Sequence, residues 1–148
     1  VYDSIGAPRI ATRNLISFLL KPFNCRSIKK RKPVFFKVGN GGFSLRKKKS
    51  FYGISKKLAS EIKKQLEEKK GEIYTNEDVF WFLKVPKFYP GFSIPEYKEA
   101  VGFAMDRKPK IALKINNNKL PFGCHGIDKP KVKKFWQTIV DKECHKKK

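Results

Sequence analysis

The sequence predicts an α/β protein in which helices flank a mixed sheet, organised as a single domain over residues 1–148. Three observations predict this fold class. Short β-rich runs alternate along the chain with apolar side chains at helical spacing. The connections between these segments vary widely in length, which favours mixed over purely parallel strand pairing. The length suits one domain, and 13 Phe, 5 Tyr and 2 Trp supply the large apolar side chains of one core.

The first half of the chain contains strands around a glycine-rich bend, followed by a long helix. Residues 1–8 are typical of a strand that runs into a turn, and residues 9–32 of a long loop. A β-rich run at 34–38 is interrupted by the glycines of 39–42 before the chain enters a helix. Apolar side chains three or four residues apart predict that this amphipathic helix covers residues 47–70.

The second half alternates short helices and strands between punctuating prolines and glycines. We predict a short buried helix at 79–83, which Asn76 caps and which Pro86 and Pro90 end. A helix start at 93–96 and a strand at 101–105 follow. After them we predict a polar loop from Arg107 that includes residues 116–118, a glycine-rich strand end at 120–126 and a closing helix at 132–140. These segments complete the α/β pattern.

The net charge of +22 and the pI of about 10.1 point to an anionic partner. Of the 35 basic residues 29 are Lys, whereas bidentate recognition of phosphates and guanine edges favours Arg. Scattered lysines also suit an ordinary solvated surface. Nucleic acid, a membrane surface and a sugar phosphate therefore remain open as partners. No apolar stretch approaches the roughly 20 residues of a transmembrane helix, so we expect no membrane span.

The cysteines bear on the cellular compartment of the protein, and the first residue bears on where its reading frame starts. Three cysteines at wide spacing do not predict a disulfide framework, which favours a reducing compartment. We therefore predict a cytoplasmic location, with peripheral membrane contact as the alternative. The chain begins with Val1 and contains neither a signal-peptide pattern nor an initiator methionine. We expect it to start inside a longer reading frame.

Three candidate sites could carry chemistry, and the first two are polar segments. The first is Asn40-Gly41-Gly42, where the lack of a Cβ lets backbone amides approach a ligand, although a simple strand bend also explains it. The second is the pair Glu77-Asp78 at a helix start before an aromatic run. Burial and like charge can raise one carboxyl pKa toward neutrality, as a general base for a sugar hydroxyl requires. Ordinary helix capping explains the pair equally well.

The third candidate is His125, which lies between small residues at a glycine-rich strand end. A neutral imidazole there could ligate a divalent metal or bind a phosphate. A lone histidine that merely forms hydrogen bonds is the alternative. The Cys-His pairs at 124–125 and 144–145 lack the spacing of a tetrahedral zinc site.

Four blocks in a fixed order resemble a family of glycosyltransferase-like domains catalogued as a domain of unknown function. They are VYDSIGAP at 1–8, VGNGGFSLR at 38–46, NEDVF at 76–80 and LPFGCH at 120–125. The second block is the most specific, since it is also similar to the glycine-glycine-serine segment that lines the donor-sugar pocket of GT-A galactosyltransferases. The resemblance spans nearly the whole chain.

This resemblance implies a partial GT-A-like fold and a transferase that moves a sugar from a nucleotide-sugar donor to a glycan or other hydroxyl acceptor. It implies that the sugar contacts Asn40, Gly41 and Gly42, that Asp78 or Glu77 is the catalytic base, and that His125 and Lys129 face the diphosphate, with His125 also a candidate metal ligand. The implied cofactor is a divalent metal, Mn or Mg. The preference between the two acids goes to Asp78.

Two departures from the family pattern limit this hypothesis. No Asp-x-Asp motif occurs in residues 1–148, so the usual metal and uridine anchors are absent, and we expect an upstream nucleotide-binding half to supply them. The family usually has an aromatic residue where this chain has Arg9. The chain is then the acceptor-side part of a transferase and acts as an enzyme when the other half is present. The alternative is a basic, non-catalytic module that binds nucleic acid or an anionic surface.

Overall fold

The computed structural model describes residues 1–11, 34–68 and 76–145. The elements are β1 (Ser4–Pro8), β2 (Val38–Arg46), α1 (Lys48–Lys57), α2 (Ala59–Glu68), α3 (Glu77–Val79), a π-helical stretch (Phe80–Lys84), α4 (Val85–Phe88), α5 (Tyr97–Phe103), β3 (Ala104–Met105), α6 (Pro109–Ile115), β4 (Gly123–Cys124) and α7 (Pro130–His145). This order confirms the predicted mixed α/β class.

The strands form two small sheets of different sense. β1 and β2 pair antiparallel, whereas β3 and β4 pair parallel, so in the described residues both senses occur in separate sheets and not in the one mixed sheet that the sequence predicts. The β1–β2 register jumps from Gly6 opposite Ser44 to Ala7 opposite Asn40. Residues 41–43 therefore bulge out of the ladder, and a bulge of this kind re-aims the side chains that follow it.

Two apolar clusters hold the elements together. The first surrounds Trp81, whose ring lies 4.1 Å from that of Phe51 on α1, and it includes Phe92. The second packs α5, β3, α6 and α7 around Met105 and Trp136. Because Met105 is fully buried in β3, this second cluster anchors the edge of the molecule at which β3 and β4 end.

The predicted helix over residues 47–70 is divided in the structure. A turn at Leu58 separates α1 from α2, and the Leu58 amide donates to the Ile54 carbonyl at 2.9 Å. Leu58 is itself buried in the first cluster, and Ile54 and Ile62 pack against it. The turn therefore keeps the apolar faces of both helices on one core. The predicted end of this helix at Gly71 lies outside the described residues.

Several other boundaries differ from the sequence prediction. The short helix continues past Pro86, which lies in the first turn of α4 directly after the π-helical stretch. The predicted strand over 101–105 is helical up to Phe103, where α5 ends. Ala100 and Val101 are the buried residues of this helix, and only Ala104 and Met105 form a strand. The predicted β-rich run at 34–38 becomes strand only from Val38.

The end of the chain also differs from the prediction. The predicted polar loop after Arg107 contains α6, which begins with a proline at its first turn. The closing helix is longer than predicted and covers Pro130–His145. Most of the predicted loop over 9–32, and the last three residues, lie outside the described ranges. Within the described part of the chain, no helix is long and apolar enough to cross a membrane.

Candidate functional site

The site is built around the bulge in β2. The side-chain Oδ1 of Asn40 accepts a hydrogen bond from the Gly42 amide at 3.0 Å, and the Ser44 hydroxyl donates to the Gly41 carbonyl at 3.2 Å. These two local bonds close the bulge on itself. The bulge therefore has a defined shape before any ligand is present.

Two glycines let this bulge interlock with the strand end at residues 122–125. A Cβ added to Gly42 would lie 2.1 Å from Nε2 of His125, and one added to Gly123 would lie 2.4 Å from the ring of Phe43. Each glycine thus accommodates an aromatic ring from the other segment. The two glycine-rich motifs of the sequence are adjacent in space, and their glycines are needed for close packing.

His125 reaches the site because β3 and β4 are parallel. Parallel strands end at the same edge of a sheet, so the residues that follow them meet. Asp106 follows β3, and the His125 amide donates to the Met105 carbonyl at 2.8 Å. Nδ1 of His125 lies 2.9 Å from Nδ2 of Asn40 and 3.2 Å from Oδ1 of Asp106. The imidazole therefore bridges the bulge and the strand edge.

Lys129 lies beside the same carboxylate. Gly126 has a left-handed φ of 72°, and a Cβ there would lie 2.9 Å from Oδ1 of Asp106 and 3.3 Å from Nζ of Lys129. The ammonium also lies 3.7 Å from Oδ1 of Asp128. Lys129 and Asp106 are thus both neighbours of Gly126.

Asp78 is held by the first segment of the chain. Its carboxylate forms an ion pair with Arg9, whose guanidinium also donates to the Gly39 carbonyl at 3.3 Å. The second carboxylate oxygen accepts the Val79 amide at 2.8 Å. The capping alternative is therefore partly right, although Asn76 occupies the N-cap without a side-chain hydrogen bond. Both oxygens of Asp78 are engaged behind the bulge.

Glu77 lies on the other side of the bulge. Its carboxylate pairs with Arg46 at the end of β2, with 3.3 Å between Nη2 and Oε2. A Cβ on Gly41 would lie 3.2 Å from Oε2 of Glu77. The nearest atom of Asp78 would be its Cβ, at 3.4 Å, and not its carboxylate. The Glu77 side chain is 56% exposed and that of Asp78 21%. The Glu77 carboxylate therefore faces Gly41 together with the Arg46 guanidinium, from which a Cβ on Gly41 would lie 2.9 Å.

Six of the seven sequence-predicted site residues lie around the bulge, namely Asn40, Gly41, Gly42, Glu77, Asp78 and His125, whereas Lys129 lies next to Gly126. Sequence reasoning did not assign a role to Asp106, Arg9 or Arg46. The signal for Asp106 was its position directly after a predicted strand, matching that of His125 after the other strand. The signal for Arg9 was its departure from the aromatic residue that the family pattern has there.

The residues around His125 do not complete a metal site. Structural and catalytic metal sites in proteins usually contribute three or more ligands. Across the ranges 1–11, 34–68 and 76–145, no group of three His, Cys, Asp or Glu side chains is close enough to hold an ion. His125 and Asp106 supply two candidate ligands, and no step below is routed through a metal.

A family model described as "Protein of unknown function (DUF5672)" matches residues 1–125. The chain belongs to the DUF5672 family. The matched part of this DUF5672 chain contains β1, the bulge, the acidic pair and His125, and it ends before Lys129 and α7. Neither a curated protein nor a solved structure matches the chain.

Proposed function

We propose that this DUF5672 chain is a partial GT-A-like glycosyltransferase domain. It would transfer a sugar from a nucleotide-sugar donor to an acceptor hydroxyl. The observation that carries the proposal is that the acidic pair at 77–78 and His125 both lie against the bulge at 40–42. A glycine surface, a carboxylate and adjacent cations are the groups that sugar transfer requires.

The bulge is suited to contact with a sugar. Around Gly41 the nearest groups are the guanidinium of Arg46 and the carboxylate of Glu77, both of which are polar and partly exposed. A pyranose ring could therefore lie against the backbone while its hydroxyls meet charged hydrogen-bonding groups. Asn40 adds an amide beside this surface.

We assign the role of base to Glu77 rather than Asp78. Both acids have both oxygens engaged, Asp78 by Arg9 and a backbone amide and Glu77 by the two Nη atoms of Arg46, so exposure decides between them. Glu77 faces Gly41 and is mostly exposed, so an acceptor hydroxyl can reach it from solvent. A carboxylate has about four lone-pair sites, so the two bonds to Arg46 leave sites free for the hydroxyl proton.

The proposed reaction is a displacement at the anomeric carbon. The acceptor oxygen attacks that carbon while its proton passes to Glu77, and the bond between the anomeric carbon and the diphosphate oxygen breaks. The leaving diphosphate keeps the electron pair. In this proposal Lys129, a neighbour of Gly126, supplies the cation that stabilises the leaving diphosphate.

Nucleotide-diphosphate release from the intact protein tests this function. We expect acceptor-dependent release from at least one of a panel of uridine and guanosine nucleotide sugars. Glu77→Gln should lower kcat by on the order of 10²–10⁴. Asp78→Asn should instead lower stability through its pair with Arg9. Glu67→Gln, on α2, removes the same charge as a matched control. Full turnover by Glu77→Gln, or no transfer from any donor, would overturn the proposal.

A second candidate is a basic, non-catalytic module that binds nucleic acid or an anionic surface. It is favoured by exposed lysines on two helices, namely Lys48, Lys49, Lys56 and Lys57 on α1 and Lys131, Lys133, Lys134 and Lys142 on α7. Affinity for duplex DNA should then fall steeply between 50 and 200 mM salt, roughly in proportion to the number of phosphates contacted. Weak, salt-insensitive binding would remove this candidate.

A further inference from the structure

The Nδ1 atom of His125 has two neighbours that make opposite demands. The Asn40 amide nitrogen, at 2.9 Å, is a donor and requires a lone pair on Nδ1. The Asp106 carboxylate oxygen, at 3.2 Å, is an acceptor and requires a proton there. A neutral imidazole carries one proton on its two nitrogens, so it can satisfy one of these neighbours at a time.

The orientation of Asn40 does not remove the conflict. Its Oδ1 accepts the Gly42 amide at 3.0 Å, which directs the NH2 group toward His125. Turning the amide over would place Oδ1 next to Nδ1 of His125. It would also break the Gly42 bond and set the NH2 group against the Gly42 N–H, which is itself a donor. The position of the imidazole proton therefore decides which neighbour is bonded.

The chemistry favours Asp106. Its side chain is 11% exposed, so a carboxylate facing a lone pair would be poorly compensated by water. The cations near it are Arg107, with Nε 3.9 Å from Oδ2, and Lys129 next to Gly126. Neither replaces a hydrogen bond to Oδ1. Asn40 is only partly buried, so its NH2 group can bond instead to solvent or to a ligand.

We propose that Asp106 is a positioning residue that holds the proton of His125 on Nδ1. Two consequences follow for the site. Nε2, which lies next to Gly42, then carries the lone pair, and the amide NH2 of Asn40 becomes free to donate. Resting on the proposed function, this assigns His125 and Asn40 to a substrate hydroxyl, as acceptor and donor, and leaves the diphosphate to Lys129.

The location of the proton can be measured without turnover. Nitrogen-15 NMR of side-chain-labelled protein distinguishes the two imidazole tautomers. At about pH 9, well above the usual imidazole pKa of about 6.5, neutral rings are observed. The chain has two histidines, and His145 near the end of α7 serves as the internal control.

We expect the Nδ1–H form of His125 to exceed the Nε2–H form roughly fivefold or more, because a hydrogen bond to a charged acceptor is about twice as strong as a neutral one. Asp106→Ala should reverse the ratio, since the Asn40 amide then determines the tautomer. Asn40→Ala should keep the Nδ1–H form. His145 should be unchanged in every variant.

Two results would overturn the proposal. One is a wild-type His125 that is mainly Nε2–H, a measurement that does not depend on how well a variant folds. The other is an Asp106→Ala protein whose His125 keeps the Nδ1–H form. Failure of the transferase proposal is separately visible: an inactive protein with the Nδ1–H form supports the positioning role of Asp106 and removes the sugar assignment.

Discussion

Gly42→Ala is the sharpest test of how the site is assembled. The Cβ of the new alanine would lie 2.1 Å from Nε2 of His125, whereas ordinary van der Waals contact begins near 3.4 Å. The ring must therefore withdraw by about 1.3 Å. A displacement of this size breaks the contacts of Nδ1 with Asn40 and Asp106, which are 2.9 and 3.2 Å long.

The magnitude follows from the bond that is lost and from the exposure of the ring. One charge-assisted hydrogen bond contributes about 1.5–3 kcal/mol. Because the His125 side chain is 34% exposed, the ring can swing toward solvent and recover part of this free energy. We expect a net destabilisation of about 1–2 kcal/mol, which lowers the Tm of a chain of this size by roughly 2–8 °C.

Calorimetry and histidine NMR measure the two parts of this prediction. The His125 ring signals should shift strongly, whereas those of His145 should not. Gly53→Ala is the matched control: a Cβ at Gly53, in α1, meets nothing within 4 Å. Within a helix that change should stabilise the protein by about 0.5–1 kcal/mol. A Gly42→Ala protein with unshifted His125 signals and an unchanged Tm would refute the packing argument.

Three further predictions concern the rest of the fold. The Ser50 hydroxyl and then the Ser93 amide lower the pKa of Asp3 from 3.8, so its stabilisation is present above that value and lost as the pH falls through the folded-state pKa. Asp3→Asn should cost about 1–3 kcal/mol in urea unfolding near pH 7 and much less near pH 2; an equal cost at both would contradict this. Burial raises the pKa of the Cys124 thiol, so iodoacetamide should modify Cys124 more slowly than the exposed Cys144, as peptide mass spectrometry would reveal. Met105→Ala, at a fully buried position, should cost about 2–5 kcal/mol in thermal unfolding, and a smaller loss would mean that the second apolar cluster collapses around the gap.

The sequence by itself determined the features that depend on near neighbours along the chain. Apolar side chains at helical spacing identified the region of α1 and α2, and the alternation of β-rich runs with helical segments indicated the α/β class. The bend at residues 40–42 and the helix start at Asn76 were also predicted correctly, because turn and cap preferences act within a few residues. The resemblance of four blocks supplied the candidate site residues, and their roles remain predictions.

Tertiary structure alone decided how these pieces meet. Asn40 and His125 are 85 positions apart, and Arg9 and Asp78 are 69 apart. No local preference encodes such pairs, because they depend on the register jump in β2 and on the parallel pairing of β3 with β4. The glycines of the two motifs could be understood only once each was seen to receive a ring from the other. Close packing between distant segments therefore assigns Asp106 and Glu77 their places, since it fixes which polar groups share one surface.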